Sequence, residues 1–346
     1  MKAQSVLLTG LMILATVKSQ ARIIRVNSVA AFATTCNDCF QTFSSAYEAA
    51  AQDGDTIHLE PSDANYEGNL TIEKRLVIIG AGYKLGAAPN NGGLQANTQT
   101  SKVDYLSINA LGSGTVLMGL HFMTSGGGNH GLDIEGAASN ITVRRCFFDG
   151  QGIGFPSGGN VSDVLIGENY IEGGIGVASN SNVQTVVNLT IRNNIIGGAL
   201  YFNRAEDVIE NLLVLNNTLL DDGNHGLKNA EVAYNVFYQG NIAGTSNTIH
   251  DNISTTALTG GDASNQVVNM GNVYNLNIGT DDSKYDILSS SPYNEGGSEE
   301  RGAFSGISPY RLSGIPNIPT IYTLQSTLNT SPGGSVEVTL STRTNN

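Results

Sequence analysis

The sequence predicts an all-β protein: a right-handed parallel β-helix, a solenoid, with a short N-terminal capping helix and a C-terminal cap. Three observations carry this expectation. A pattern of apolar, any, apolar, two of any type, Asn, any, apolar recurs along the middle of the chain. The 42 glycines among 346 residues suit a chain with many sharp corners. One amphipathic helical stripe precedes the pattern, and a stack of short strands needs such a cover over its open end.

Composition narrows the function classes. Hydrophobic residues make up 40% of the chain, enough for a core, so a disordered chain is excluded. Charged residues make up only 14%, which excludes a long solvated coiled coil. Thirty acidic against 17 basic residues give a net charge of −13, the wrong sign for a nucleic-acid binder.

Residues 1–21 read as a secretory signal peptide. Lys2 gives a positive start, Val6 to Val17 is mostly apolar, and Ser19-Gln20-Ala21 supplies small residues at the cleavage site. The apolar run is shorter than the ~20 residues of a membrane span, and no other stretch could cross a bilayer. The expected location is therefore extracellular, at the cell surface or periplasmic. Export permits disulfides. Cys36 and Cys39 are expected to pair locally, because no thioredoxin-like pattern and no second Cys/His pair surrounds them. Cys146 is left as a buried free thiol.

Residues 22–54 form the expected cap. Phe43, Ala46, Tyr47, Ala50 and Ala51 lie at helical spacing between Thr42 and Gln52, and Gly54 stops the helix. Residues 55–288 are the expected coils, opening with strands at 55–60, 70–72 and 76–79. The recurring unit then reads Val164-x-Ile166-x-x-Asn169-x-Ile171 and Leu189-x-Ile191-x-x-Asn194-x-Ile196. It returns as Leu212-x-Val214-x-x-Asn217-x-Leu219 and Ala230-x-Val232-x-x-Asn235-x-Phe237. Upstream, Cys146 takes the Asn slot. Downstream the pattern decays through Asn252 and Asn272.

Each unit starts a strand with one apolar face, turns at Asn, and starts a second strand facing the same interior. A unit of 17 to 25 residues cannot bury that face alone, so copies must stack. Asn169, Asn194, Asn217, Asn235 and Asn252 should then form one hydrogen-bonded ladder. A leucine-rich repeat would need Leu-x-x-Leu-x-Leu and a helical return, and both are missing. Residues 289–346, rich in Ser, Pro and Gly, read as a closing cap or a segment lying along the solenoid.

The stretch Ala49-Ala-Ala-Gln-Asp-Gly-Asp-Thr-Ile-His-Leu-Glu60, with Leu70-Thr-Ile-Glu-Lys-Arg-Leu-Val-Ile-Ile-Gly-Ala-Gly82, resembles the opening of pectin-lyase-like β-helix proteins. Gly302-Ala-Phe304, Ser308-Pro-Tyr310 and Leu312-Ser-Gly-Ile-Pro-Asn-Ile-Pro-Thr-Ile-Tyr322 are similar to the end of a largely uncharacterised family of secreted bacterial β-helix proteins. The resemblance implies architecture more than chemistry, because the superfamily holds lyases, hydrolases, esterases, adhesins and structural proteins. Its pectin-cleaving hydrolases carry four motifs. Asp221-Asp222 and Asn224-His225-Gly226 imitate two of them, and the other two are missing.

Asp149 and Glu172 each lie three residues after the ladder slot, which stacks them about 5 Å apart on adjacent coils. Such a pair could hold Ca²⁺ or act as an acid–base couple, with Arg144 as the nearby base of a lyase. Arg145 beside Glu168 is a blander stacked pair. His130 and His225 sit in near-identical contexts, Gly128-Asn-His-Gly-Leu132 and Gly223-Asn-His-Gly-Leu227, and are expected on the same side of the molecule, about four coils apart. The favoured reading is a secreted, non-catalytic carbohydrate-binding or cell-surface structural module. The alternatives are a polysaccharide lyase or glycoside hydrolase acting on acidic polysaccharide, and an adhesin or protein-interaction module. Apart from the speculative Ca²⁺, no cofactor is expected. A polysaccharide or cell-surface glycan is the expected partner, with no nucleic acid. The chain has no Trp, so sugar stacking would fall to Tyr201, Phe202, Tyr234 and Tyr238.

Overall fold

The computed structural model describes residues 21–49, 51–66, 69–123, 130–156, 158–177, 184–294, 300–327 and 335–345. The expected signal peptide, residues 1–21, lies outside them apart from Ala21. Alternating and paired apolar residues produce three stacks of parallel strands, with eleven, nine and eight members among the described residues. From Val77–Ile79 to Ile253–Ser254 successive strands visit the sheets in rotation, the arrangement a parallel β-helix requires. Asn160–Gly167 lies in the first sheet, Tyr170–Ile171 in the second and Ile175–Val177 in the third. Thr185–Arg192 then returns to the first sheet and pairs in parallel with Asn160–Gly167.

The interior is aliphatic and aromatic. Val164, Ile166, Ile171 and Ile175 are buried in one turn of the chain, and Leu189, Ile191, Ile196 and Leu200 in the next. Each such side chain contributes about 1.5–3 kcal/mol by leaving water. Phe122 and Phe148 stack inside at 4.4 Å between ring centres. The segment 22–54 holds the helix Phe43–Ala49, which buries Phe43, Ala46 and Tyr47. It also gives the first sheet two strands, since Ile23–Val26 pairs with Cys39–Phe40 and with Thr56–Leu59. Cys36 and Cys39 are joined by a disulfide.

The tail runs over the outside of the coils. Phe147, Tyr170 and Ile195 point outward from the second sheet and pack against Ala303 and Tyr310. The corner residues Arg145, Glu168, Asn193, Asn216, Tyr234 and Asp251 all take the left-handed conformation, with φ of +51° to +58°. The tail fastens to this row. Arg145 Nη1 donates to the Ile315 carbonyl, Asn193 Nδ2 to that of Ala303 and Asn216 Nδ2 to that of Glu300. The tail ends in an antiparallel ribbon of Thr320–Thr327 and Glu337–Arg343.

Candidate functional site

Asp149 and Glu172 follow directly on register partners Phe148 and Ile171 in adjacent strands. Their side chains already have partners. Asp149 Oδ2 lies 3.3 Å from His121 Nε2, and Glu172 Oε2 accepts from the Gly150 N–H at 2.9 Å. Burial lowers the His121 pKa, against the pull of Asp149. Arg144 is committed elsewhere: its Nε donates to Glu168 Oε1 at 3.1 Å, and its Nη2 contacts the same oxygen. Arg145 Nε donates to Glu168 Oε2 at 2.6 Å. The base imagined for a lyase is thus held at the corner by Glu168, which is buried together with Arg145. Among the described residues no three His, Cys, Asp or Glu side chains gather to hold a metal.

The Asn side chains form a continuous buried ladder. Asn169, Asn194, Asn217, Asn235 and Asn252 are fully buried. The Oδ1 of Asn194 accepts from the Asn169 backbone N–H at 3.0 Å and from Asn169 Nδ2 at 2.9 Å. The same two bonds link 194 to 217, 217 to 235 and 235 to 252. The slot expected at Asn272 is instead Asn265, which accepts from the Asn252 backbone and side chain at 3.1 and 2.8 Å. Asn272 sits in a short 3-10 helix, because the chain after Asn252 shortens its excursion and the old spacing no longer applies. Cys146 closes the other end as a buried free thiol whose backbone N–H donates to Asn169 Oδ1. Burial raises its pKa to about 12, so it is a packing group and not a nucleophile.

The two histidines of near-identical context face opposite ways. His130 lies on the outside of the third sheet, where a register shift between His130 and Leu132 displaces it. His225 points inward as the register partner of Ile242 and is fully buried. Its Nδ1 accepts from the Leu200 N–H at 3.2 Å, and its Nε2 has no hydrogen-bond partner. Desolvation lowers its pKa to about 4, so the ring is neutral at pH 7.

The outer face of the third sheet brings together groups that the sequence reading kept apart. Register places Thr71, Ser107, Asp133, Gly154, Gly176, Tyr201, Gly226 and Ala243 side by side on successive strands. Asp133 Oδ1 lies 3.0 Å from His130 Nδ1, and Asp133 Oδ2 accepts from Tyr105 Oη at 2.9 Å. Burial and the adjacent Asp133 carboxylate push the Tyr105 pKa upward, so the phenol keeps its proton. A Cβ at Gly154 would come within 2.1 Å of His130 Nδ1 and 2.2 Å of Asp133 Oδ1, so only glycine leaves room for that pair. Gly176 lies beside Tyr201, which is 44% exposed. Gly154 and Gly176 are both buried: the His130–Asp133 pair lies over the first, and Tyr201 packs against the second.

A sequence signal for this strip existed. Gly152-Ile-Gly-Phe155 and Gly174-Ile-Gly-Val177 repeat the same pattern of bare outward positions. Phe202, named as a stacking candidate beside Tyr201, is fully buried because strand alternation turns it inward. Among the described residues no helix is long and apolar enough to cross a membrane. No family model matches the chain, and no curated protein or solved structure matches it either.

Proposed function

We propose that the protein is a secreted right-handed parallel β-helix of the pectin-lyase-like kind, which binds carbohydrate on the outer face of its third sheet without cleaving it. The rotation of strands through three parallel sheets from Val77 to Ser254 supports the architecture, and parallel crossovers are right-handed in about 98% of cases. The signal sequence and the Cys36–Cys39 disulfide support export to an oxidising compartment.

The outward row from Asp133 to Tyr201 carries the binding reading. The exposed Tyr201 ring offers an apolar face to the C–H side of a sugar. Asp133 and His130 offer hydrogen bonds to hydroxyl groups at the far end. Calorimetric titration with neutral and acidic oligosaccharides tests this reading, with Tyr201→Ala expected to weaken binding at least about tenfold, or ~1.4 kcal/mol. Failure to bind any glycan, or unchanged binding by the variant, removes it. Unsaturated uronate products, followed by their ultraviolet absorbance, would establish the lyase alternative. Retention by a protein partner alone would favour the adhesin.

A further inference from the structure

The outer face of the first sheet holds a groove of about 630 Å³. Ile166, Ile191 and Val214 point into the core, so their neighbours on each strand face outward. Register sets Thr190 between Leu165 and Leu213, and Arg192 between Gly167 and Leu215. Three half-buried leucines thus surround one half-buried arginine. That arginine is unusual for this chain. Arg22, Arg25, Arg144, Arg145 and Arg204 each meet a carboxylate. The Arg192 guanidinium has no hydrogen bond or ion pair among the described residues. The acids around it are already taken. Glu168, whose backbone N–H donates to the Arg192 carbonyl, is held by Arg144 and Arg145. Asp163, at the other end of the groove, accepts from Ser162 Oγ at 2.9 Å and from Asn188 Nδ2 at 2.8 Å.

We infer that this groove binds an amphiphilic monocarboxylate, with the carboxylate on Arg192 and an aliphatic body across Leu165, Leu213 and Leu215. A guanidinium presents a planar fork of donors, which matches a carboxylate through two parallel hydrogen bonds. Partly withdrawn from water, it attracts an anion more strongly than a fully exposed cation does. The leucines select the rest of the ligand. A small inorganic anion would leave them in water, whereas an alkyl chain covers them. Charge sets the number of carboxylates. The chain carries −13, so repulsion rises with each further negative charge on the ligand and disfavours a polyanion. The groove lies on a different sheet from the row of Asp133 and Tyr201, and its ligand does not depend on carbohydrate binding there.

The test is a titration of the protein with octanoate, followed by nuclear magnetic resonance of isotope-labelled leucine methyl groups. Octanoate is expected to shift the Leu165, Leu213 and Leu215 signals until they saturate. Acetate and inorganic phosphate lack the chain, and octanol lacks the charge. Each is expected to bind at least about tenfold more weakly than octanoate. Arg192→Gln is expected to weaken octanoate at least about tenfold, with thermal melting unchanged. Leu213→Gln keeps the guanidinium, so it should weaken octanoate and leave acetate as it was, a split that misfolding would not give. Tyr201→Ala should leave octanoate binding unchanged. Four results overturn the inference: no shift at these leucines, phosphate or octanol binding as well as octanoate, octanoate binding unchanged in Arg192→Gln, or equal losses for octanoate and acetate in Leu213→Gln.

Discussion

The corner between the first and second sheets and the pocket around Asp282 in the tail both bury polar groups completely, by opposite means. At the corner one residue type meets its own copy: each Asn side chain satisfies the next, and the same hydrogen bonds recur from coil to coil. Around Asp282 nothing repeats. Its Oδ1 accepts from Asn91 Nδ2, Thr280 Oγ1 and the Ser283 N–H at 2.9, 2.9 and 3.0 Å. Its Oδ2 accepts from the Ser313 N–H at 2.8 Å and from Tyr310 Oη at 3.2 Å. Five donors, the farthest 191 residues away in sequence, thus satisfy one buried carboxylate, and among the described residues no cationic side chain pairs with it. Repetition spreads a burial cost over many equivalent sites, whereas a single knot concentrates it.

If that contrast is right, the knot should be the more fragile. Asp282→Ala strands several buried donors at once, and a loss of at least about 3 kcal/mol is expected, since each unsatisfied buried group costs about 1–3 kcal/mol. Hydrogen exchange should rise across residues 300–315 while the coils stay protected. Equal loss of protection everywhere would abolish the distinction between the two regions.

His225 tests a third condition, a buried polar group with neither repeat nor knot. Its folded pKa, about 4, lies below the unfolded value near 6.5, so the unfolded state binds the extra proton between them. Stability from this group is complete above pH 6.5 and lost as pH falls toward 4, by about 3 kcal/mol in all. His225→Leu should flatten that part of the pH–stability curve, because the leucine joins an aliphatic column beside Ile242. A curve as steep as wild type would assign the acid sensitivity elsewhere.

Asn194→Ala removes one rung of the ladder and should cost about 1–3 kcal/mol in denaturant unfolding, since partners above and below remain. The smallest effect belongs to an outer ladder on the first sheet. There Asn188 Nδ2 donates to Asp163 Oδ1 at 2.8 Å and Asn211 Nδ2 to Asn188 Oδ1 at 2.9 Å. Asn188 is exposed, with φ of +57°, which glycine adopts freely. Asn188→Gly should therefore change stability by no more than about 0.5 kcal/mol. A loss matching that of Asn194→Ala would mean that burial is not what gives the inner ladder its strength.

The same contrast explains what was legible in the sequence. Stacked strands and the Asn ladder could be read because parallel stacking forces a similar chemical answer at regular intervals. The slot at Asn265 was missed because the chain shortens its excursion there and the interval falls to 13 residues, from 252 to 265. The His130–His225 equivalence failed at a single register shift, which spacing cannot reveal. Asp282 and Tyr310 gave no signal, since their partners meet only when the tail folds back. The outward row of the third sheet was half visible, in paired glycines that were read only as corners. Ser335-Val-Glu-Val-Thr-Leu340 alternates as a strand does, but its antiparallel pairing with Thr320–Thr327 was not legible in it.

The hydrogen bond between Tyr83 and Tyr310, 2.5 Å long across 227 residues of sequence, has a mechanical meaning. A stack of repeats touches only its neighbours, so under tension along its axis it peels one layer at a time. Here the tail is a backstay, tied near Tyr83 at one end of its run and near Asp251 at the other through Arg301, whose Nε donates to the Asp251 carbonyl. A pull applied across that span must break the stay before it can separate the layers beneath. The unfolding trace should therefore open with one high-force rupture, followed by smaller, evenly spaced steps.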